Sequence, residues 1–166
     1  MPPSSEPTRV AWETLPLLRS WLDLLRPLDD DALAAPTRSR GRSLRNLTVN
    51  VFHPFELLPA AWSTQRFPWQ PELDGEREEA LREAPELIAY AERILEDWTD
   101  FVVEQADELG RNDPVVASPR GELRFSALLE SQLEHVSFHR EQLVEFLHGG
   151  STLYGRWSAS SGPGSS

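Results

Sequence analysis

The chain has 166 residues, a formal net charge of −11 and no cysteine. That length suits one domain with one core. The missing thiols exclude disulfides, thiolate metal sites and a cysteine nucleophile, and the acidic balance weighs against DNA or RNA, whose non-specific capture needs cationic patches.

Residues 1–8 (MPPSSEPT) are polar and proline-rich, and the composition predicts disorder. Val10 to Arg26 reads as the first helix, with Leu15, Leu18, Leu22 and Leu25 recurring at three- and four-residue steps beside Trp21. Pro16 is expected in its first turn, where proline is tolerated, and Pro27 ends it. Residues 27–42 read as a solvated connector, with an acidic run at Asp29–Asp31 and arginines at 38, 40 and 42. Ser43 is a plausible N-cap for the second helix, which carries His53. Pro54 and Pro59 each delete a helical hydrogen bond, so a kinked or interrupted helix is expected between Asn50 and Pro59. If the helix continues, Asn46, Asn50, His53 and Leu57 share one face, more polar than core packing requires. Asparagines can also cap carbonyls that a kink sets free.

Residues 66–83 form a second long connector, with Phe67 expected in a satellite cluster and Trp69 open to a pocket role. Pro85 to Leu109 is the cleanest helix, striped by Leu87, Ile88, Ala91, Ile94, Leu95, Trp98, Val102 and Ala106 and stopped by Gly110. Residues 111–123 read as loop, and no alternating strand pattern is present. The last helix, Ser126 to His148, has an apolar stripe of Leu128, Leu129, Val136, Leu143, Phe146 and Leu147, and is expected to end at Gly149 and Gly150. After Trp157 a low-complexity tail (158–166) has nothing to bury. No stretch approaches the ~20 apolar residues of a membrane span, and no signal peptide is expected ahead of the first helix, so a cytoplasmic location is the expectation. The whole reads as all-α: four long helices in a bundle over residues 9–157, with long connections between helices one and two and helices two and three.

His135 and His139 lie four apart, one turn apart on the same side of the last helix. Two imidazoles aimed into a bundle interior can share a metal ion, or serve as core-edge histidines with ordinary hydrogen bonds. His53, on another helix, is the candidate third ligand. Three neutral imidazoles and a water make an open site of the catalytic kind, suited to zinc, nickel, cobalt or ferrous iron. Glu56, three residues after His53, is a candidate orienter, ligand or proton carrier, or a solvent-facing charge. Glu134 is a second candidate proton carrier, and Asn50 and Trp69 are candidate cofactor contacts. His148 is nine residues after His139, so its phase points it away from the pair.

The segments LRNLTVNVFH, ending at His53, and LLESQLEHVSFHREQL, containing His135 and His139, occur in four-helix order. In this the chain resembles the DinB-like superfamily over nearly its whole length, from Val10 to about His148. The resemblance implies one divalent metal, zinc or nickel, held by His53, His135 and His139. It also implies relatives such as mycothiol-dependent maleylpyruvate isomerase, bacillithiol and mycothiol S-transferases, and metal-dependent hydrolases. Pro54 and Pro59 depart from that pattern. Every basic residue is arginine, which with the many Ala, Leu and Pro residues looks like the coding bias of a GC-rich genome and favours mycothiol as the thiol.

Three functions follow as expectations. The first is a metal-dependent thiol S-transferase or thiol-dependent isomerase acting on a small electrophile, the thiol arriving from solution. The second is a hydrolase of a small amide or ester, with Glu56 or Glu134 moving the proton. The third is a non-catalytic metal- or ligand-binding bundle. The expected partner is a small-molecule substrate, with no nucleic acid and no membrane, and a homodimer is the candidate assembly.

Overall fold

Burial of the leucine stripes organises the chain. Leu15, Leu18, Leu22 and Leu25 on the first helix are all buried, as are Leu87, Ala91, Ile94, Trp98 and Val102 on the helix over the eighties and nineties. The computed structural model describes residues 6–157. In order these form α1 (Glu6–Leu25), α2 (Asp30–Ala34), α3 (Leu44–Thr64), a 3-10 turn (Pro71–Leu73), α4 (Asp74–Ala80), α5 (Ala84–Glu104), α6 (Ala106–Leu109), β1 (Val115–Ser118), β2 (Gly121–Arg124) and α7 (Phe125–Trp157). Among the described residues the fold is all-α apart from one small hairpin. α1 packs on α5 and α7, and α3 packs on the same two helices, so the four long helices enclose one core. None of the described helices is long and apolar enough to cross a membrane.

Two large buried rings cross-link that core by their polar edges. Trp21 Nε1 donates to Thr48 Oγ1 at 3.0 Å and Trp98 Nε1 to Thr14 Oγ1 at 2.8 Å, so neither indole N–H is left unpaired. Phe55 meets Trp98 edge-on at 5.3 Å, and Phe101 stacks on it at 5.2 Å.

Several boundaries differ from expectation. α1 begins at Glu6, inside the segment expected to be disordered, which moves Pro16 from the first turn to the helix interior. The expected disorder at 1–5 and 158–166 lies outside the described residues. Ser43 caps α3 as expected, its Oγ accepting from Asn46 N at 3.0 Å. α3 then runs unbroken through Pro54 and Pro59, so of the expected kink or interruption the interruption does not occur. An interior proline costs about 3 kcal/mol. Burying a large apolar side chain returns roughly 1.5–3 kcal/mol, and Val51, Phe52, Phe55 and Leu58 are all buried around the two prolines. Packing on two neighbouring helices therefore outweighs the lost backbone bonds.

The connector at 27–42 contains α2, capped by Asp29, whose side chain accepts from Ala32 N at 2.9 Å. The second connector folds into the 3-10 turn and α4, which packs on α3. The helix expected over 85–109 is divided at Gln105, where φ is −100°. Residues expected as loop form the hairpin, with Ser118 paired to Gly121 across a two-residue turn. Gly121 takes φ +104°, a conformation open to glycine and strained for other residues. The strands are only four residues each, too short for a periodic signal. α7 continues through Gly149 and Gly150 to Trp157. Glycine costs a helix only about 1 kcal/mol, too little to guarantee a stop.

The hairpin is tied back to the second connector. Phe67 N donates to Ala117 O at 2.8 Å and Ala117 N to Gln65 O at 2.9 Å, which seats Phe67 in the main core, where a satellite cluster was expected. This pairing draws residues 66–71 and the hairpin turn together above α7, and the space between them is the cavity described next.

Candidate functional site

Asp74 is the centre of the polar interior. It opens α4, is 1% exposed, and accepts from three side chains. His53 Nδ1 lies 2.8 Å from Oδ1, Trp69 Nε1 lies 3.0 Å from the same oxygen, and Asn50 Nδ2 lies 2.8 Å from Oδ2. A buried carboxyl group with three donors aimed at its oxygens is satisfied as an acceptor. A proton of His53 therefore sits on Nδ1, facing Asp74.

Asn50 passes the order along. Its amide nitrogen is committed to Asp74, so its Oδ1 accepts, and the partner is His135 Nε2 at 2.7 Å. His135 then carries its proton on Nε2 and its lone pair on Nδ1. That Nδ1 is buried with no hydrogen-bond partner, as is Gln132 Oε1 one turn earlier on α7. On the next turn His139 places Nδ1 2.6 Å from Gln142 Oε1, which leaves its lone pair on Nε2. The His135 and His139 rings meet edge to face with centroids 4.7 Å apart.

Burial lowers the pKa of both histidines. For His135 desolvation is the main cause, followed by the neighbouring His139, and the value falls to about 4. His139 is lowered by desolvation, partly offset by its hydrogen bond to Gln142. Both rings are neutral near pH 7, with lone pairs available. In the metal-free protein this makes stability pH-dependent. An unfolded chain takes up the His135 proton below about 6.5, whereas the folded chain resists until about 4. Stability is expected to fall as pH drops through that window, and His135→Gln to show a shallower fall than the parent in urea titrations at pH 7.0, 5.5 and 4.5.

The expected site residues divide into those the fold brings together and those it does not. His53, Asn50, Trp69, His135 and His139 form one network, the Trp69 ring standing 5.8 Å from His135. Glu56 borders it. Its Oε1 is 3.9 Å from His53 Nε2, beyond hydrogen-bonding range, and accepts from Tyr90 OH at 3.2 Å. Its Oε2 meets Arg77 at 3.3 Å and Arg93 at 3.7 Å. Burial and the Glu56 charge together push the Tyr90 phenol up. Glu134 is exposed on α7, about 100° around the helix from His135. His148 is exposed and bonds Val144 O at 3.0 Å.

Among the described residues no three metal-ligating side chains stand grouped around one point. His53 is held toward Asp74, and Asn50 links it to His135. The donor chemistry nonetheless fits a divalent ion of the zinc or nickel type, because neutral imidazoles are its preferred nitrogen ligands and a buried nitrogen lone pair lacks a partner. Asp74 supplies the carboxylate behind the histidine that such sites use to fix a tautomer.

Beside His135 opens a cavity of about 520 Å³. Phe67, Trp69 and Pro71 wall it on one side, the turn at Ser118–Arg120 on another, and Leu128, Ser131 and Gln132 of α7 form its base. A volume of this size suits a small organic molecule. Sequence reasoning missed Asp74, Gln132, Gln142 and Tyr90. For Asp74 a signal existed: an acidic residue opening the helical run DGEREEA marks a helix start. Comparison with protein-family models, curated proteins and solved structures finds no match.

Proposed function

We propose that the chain is a DinB-like four-helix bundle in which His53, His135 and His139 hold one divalent metal, zinc or nickel. On this reading it is a cytoplasmic transferase that joins a thiol cosubstrate of the mycothiol type to a small electrophile. The observation that carries the reading is the His135 Nδ1 lone pair, buried without a partner beside His139 and in the wall of a cavity. When bound, the metal supplies Lewis acidity that favours thiolate over thiol at neutral pH.

The chain's own residues have separate tasks. Asp74 holds the His53 proton on Nδ1, Asn50 the His135 proton on Nε2, and Gln142 the His139 proton on Nδ1. Each ring is thereby fixed in one tautomer before any ligand arrives. Phe67 and Trp69 exclude water from one side of the cavity and orient the substrate body. The absence of cysteine fits a nucleophile that comes from solution.

Glu56 favours a second reading. A carboxylate 3.9 Å from His53 Nε2 and fixed by Tyr90 is placed to take a proton from water, which suits hydrolysis of a small amide or ester. Calorimetric titration of the metal-loaded protein with mycothiol, bacillithiol and glutathione separates the two. Thiol binding that disappears in His135→Ala supports the transferase. Metal-dependent ester or amide hydrolysis without binding of any thiol at millimolar concentration moves the assignment to a hydrolase, and neither activity leaves a non-catalytic metal-binding bundle.

A further inference from the structure

Among the described residues lining the cavity, Arg120 alone carries a charge at neutral pH. The chain holds 27 acidic residues against 16 basic ones, so a cavity whose charged group is a cation is the reverse of the molecule's average. Arg120 stands exposed at the hairpin turn, at the mouth, and its Nη2 donates to Ser131 Oγ at 3.3 Å, a neutral partner. The remaining walls are largely apolar, from Phe67, Trp69 and Leu128. Those walls are preformed: Trp69 is fixed through its Nε1 bond to Asp74, and Phe67 by backbone pairing with Ala117. His135 borders the same space, its ring 5.8 Å from that of Trp69.

We infer that the cavity binds a small organic carboxylate with an apolar or aromatic body, its carboxylate held by Arg120 and the Ser131 hydroxyl and its far end directed at His135. The guanidinium fork matches a carboxylate's two oxygens, and Ser131 adds one further O–H donor. The body lies along Trp69 and Phe67, where its burial supplies most of the affinity and the anion sets the orientation. This rests on the reading of the cavity as the substrate site, and it is independent of whether a metal is bound.

The test is isothermal titration of the full chain, before and after metal loading, with 3-phenylpropionate and with its uncharged isostere 3-phenylpropionamide. The acid is expected to bind about tenfold more tightly than the amide, the difference one charge-assisted contact makes. Arg120→Gln is expected to bring the acid down to the amide's affinity without changing the melting temperature, since Arg120 is an exposed turn residue. Arg111→Gln, an exposed arginine paired with Glu108 away from the cavity, is expected to change nothing. Equal affinity for acid and amide, an Arg120→Gln variant that binds the acid normally, or no binding of either probe at millimolar concentration each overturns the inference. Acid binding that depends on His135 and is indifferent to Arg120 also overturns it, placing the anion at the histidines. Metal content measured on the same samples keeps the two readings apart: carboxylate binding without metal uptake defeats the metal reading alone, and the converse defeats this one alone.

Discussion

Replacing Asp74 with alanine is expected to destabilise the fold by about 3 kcal/mol or more, since two buried donors and one half-buried donor lose their acceptor at once and each unpaired buried group costs roughly 1–3 kcal/mol. The donors are His53 Nδ1, Asn50 Nδ2 and Trp69 Nε1. Against a typical total of about 5–15 kcal/mol this is a large fraction. Asp74→Asn keeps the volume and one acceptor oxygen but turns a donor toward either His53 or Asn50, so it is expected to fall between alanine and the parent. Urea denaturation reads the effect as a shift in midpoint at unchanged slope. The same substitution frees the His53 ring and the second connector, and is expected to weaken metal binding by about 10–100-fold, the usual effect of removing the carboxylate behind a ligating histidine. An Asp74→Ala variant within about 0.5 kcal/mol of the parent, the range of an ordinary surface substitution, contradicts the network.

The second large effect concerns His139. Its Nδ1 is committed to Gln142, and its ring meets the ring of His135 edge to face with centroids 4.7 Å apart. His139→Ala is expected to abolish metal-dependent stabilisation. In the parent, metal at 100 times its dissociation constant adds about 2.7 kcal/mol by mass action. A thermal melt with and without zinc reads this directly. His148→Ala provides the matched control: an exposed histidine in the same helix, bonded to its own backbone, whose loss is expected to leave the zinc-dependent shift intact. Equal shifts in parent and His139→Ala, or a lost shift in His148→Ala, show that the ligands lie elsewhere.

Those features governed by helical periodicity were legible beforehand. The i, i+4 spacing of His135 and His139 placed the rings one turn apart, and they meet edge to face. The Ser43 cap and the stripes of α1 and α5 likewise follow from local rules. Interactions that depend on distant packing were not legible. Pro54 and Pro59 read locally as a kink or a break, and the burial of Phe52 and Phe55 in the core keeps the helix unbroken. Asp74 lies in a connector that reads as polar loop, and only the docking of α4 on α3 turns its carboxyl inward to His53 and Asn50. The hairpin is held partly by a bridge to residue 66, some 50 positions away, which no local pattern records. The cavity depends on both of these long-range contacts, so neither its walls nor Arg120 at its mouth could be read in advance.

Metal stoichiometry decides whether His53, His135 and His139 share one ion. The full chain, purified without chelator, loaded with zinc or nickel and freed of excess by gel filtration, is analysed for metal by elemental analysis. About one ion per chain is expected in the parent and in His148→Ala, and near none in His135→Ala, the variant that removes the buried, partnerless Nδ1. Less than about a tenth of an equivalent in the loaded parent contradicts a shared ion, given the tight binding expected of an imidazole-rich site.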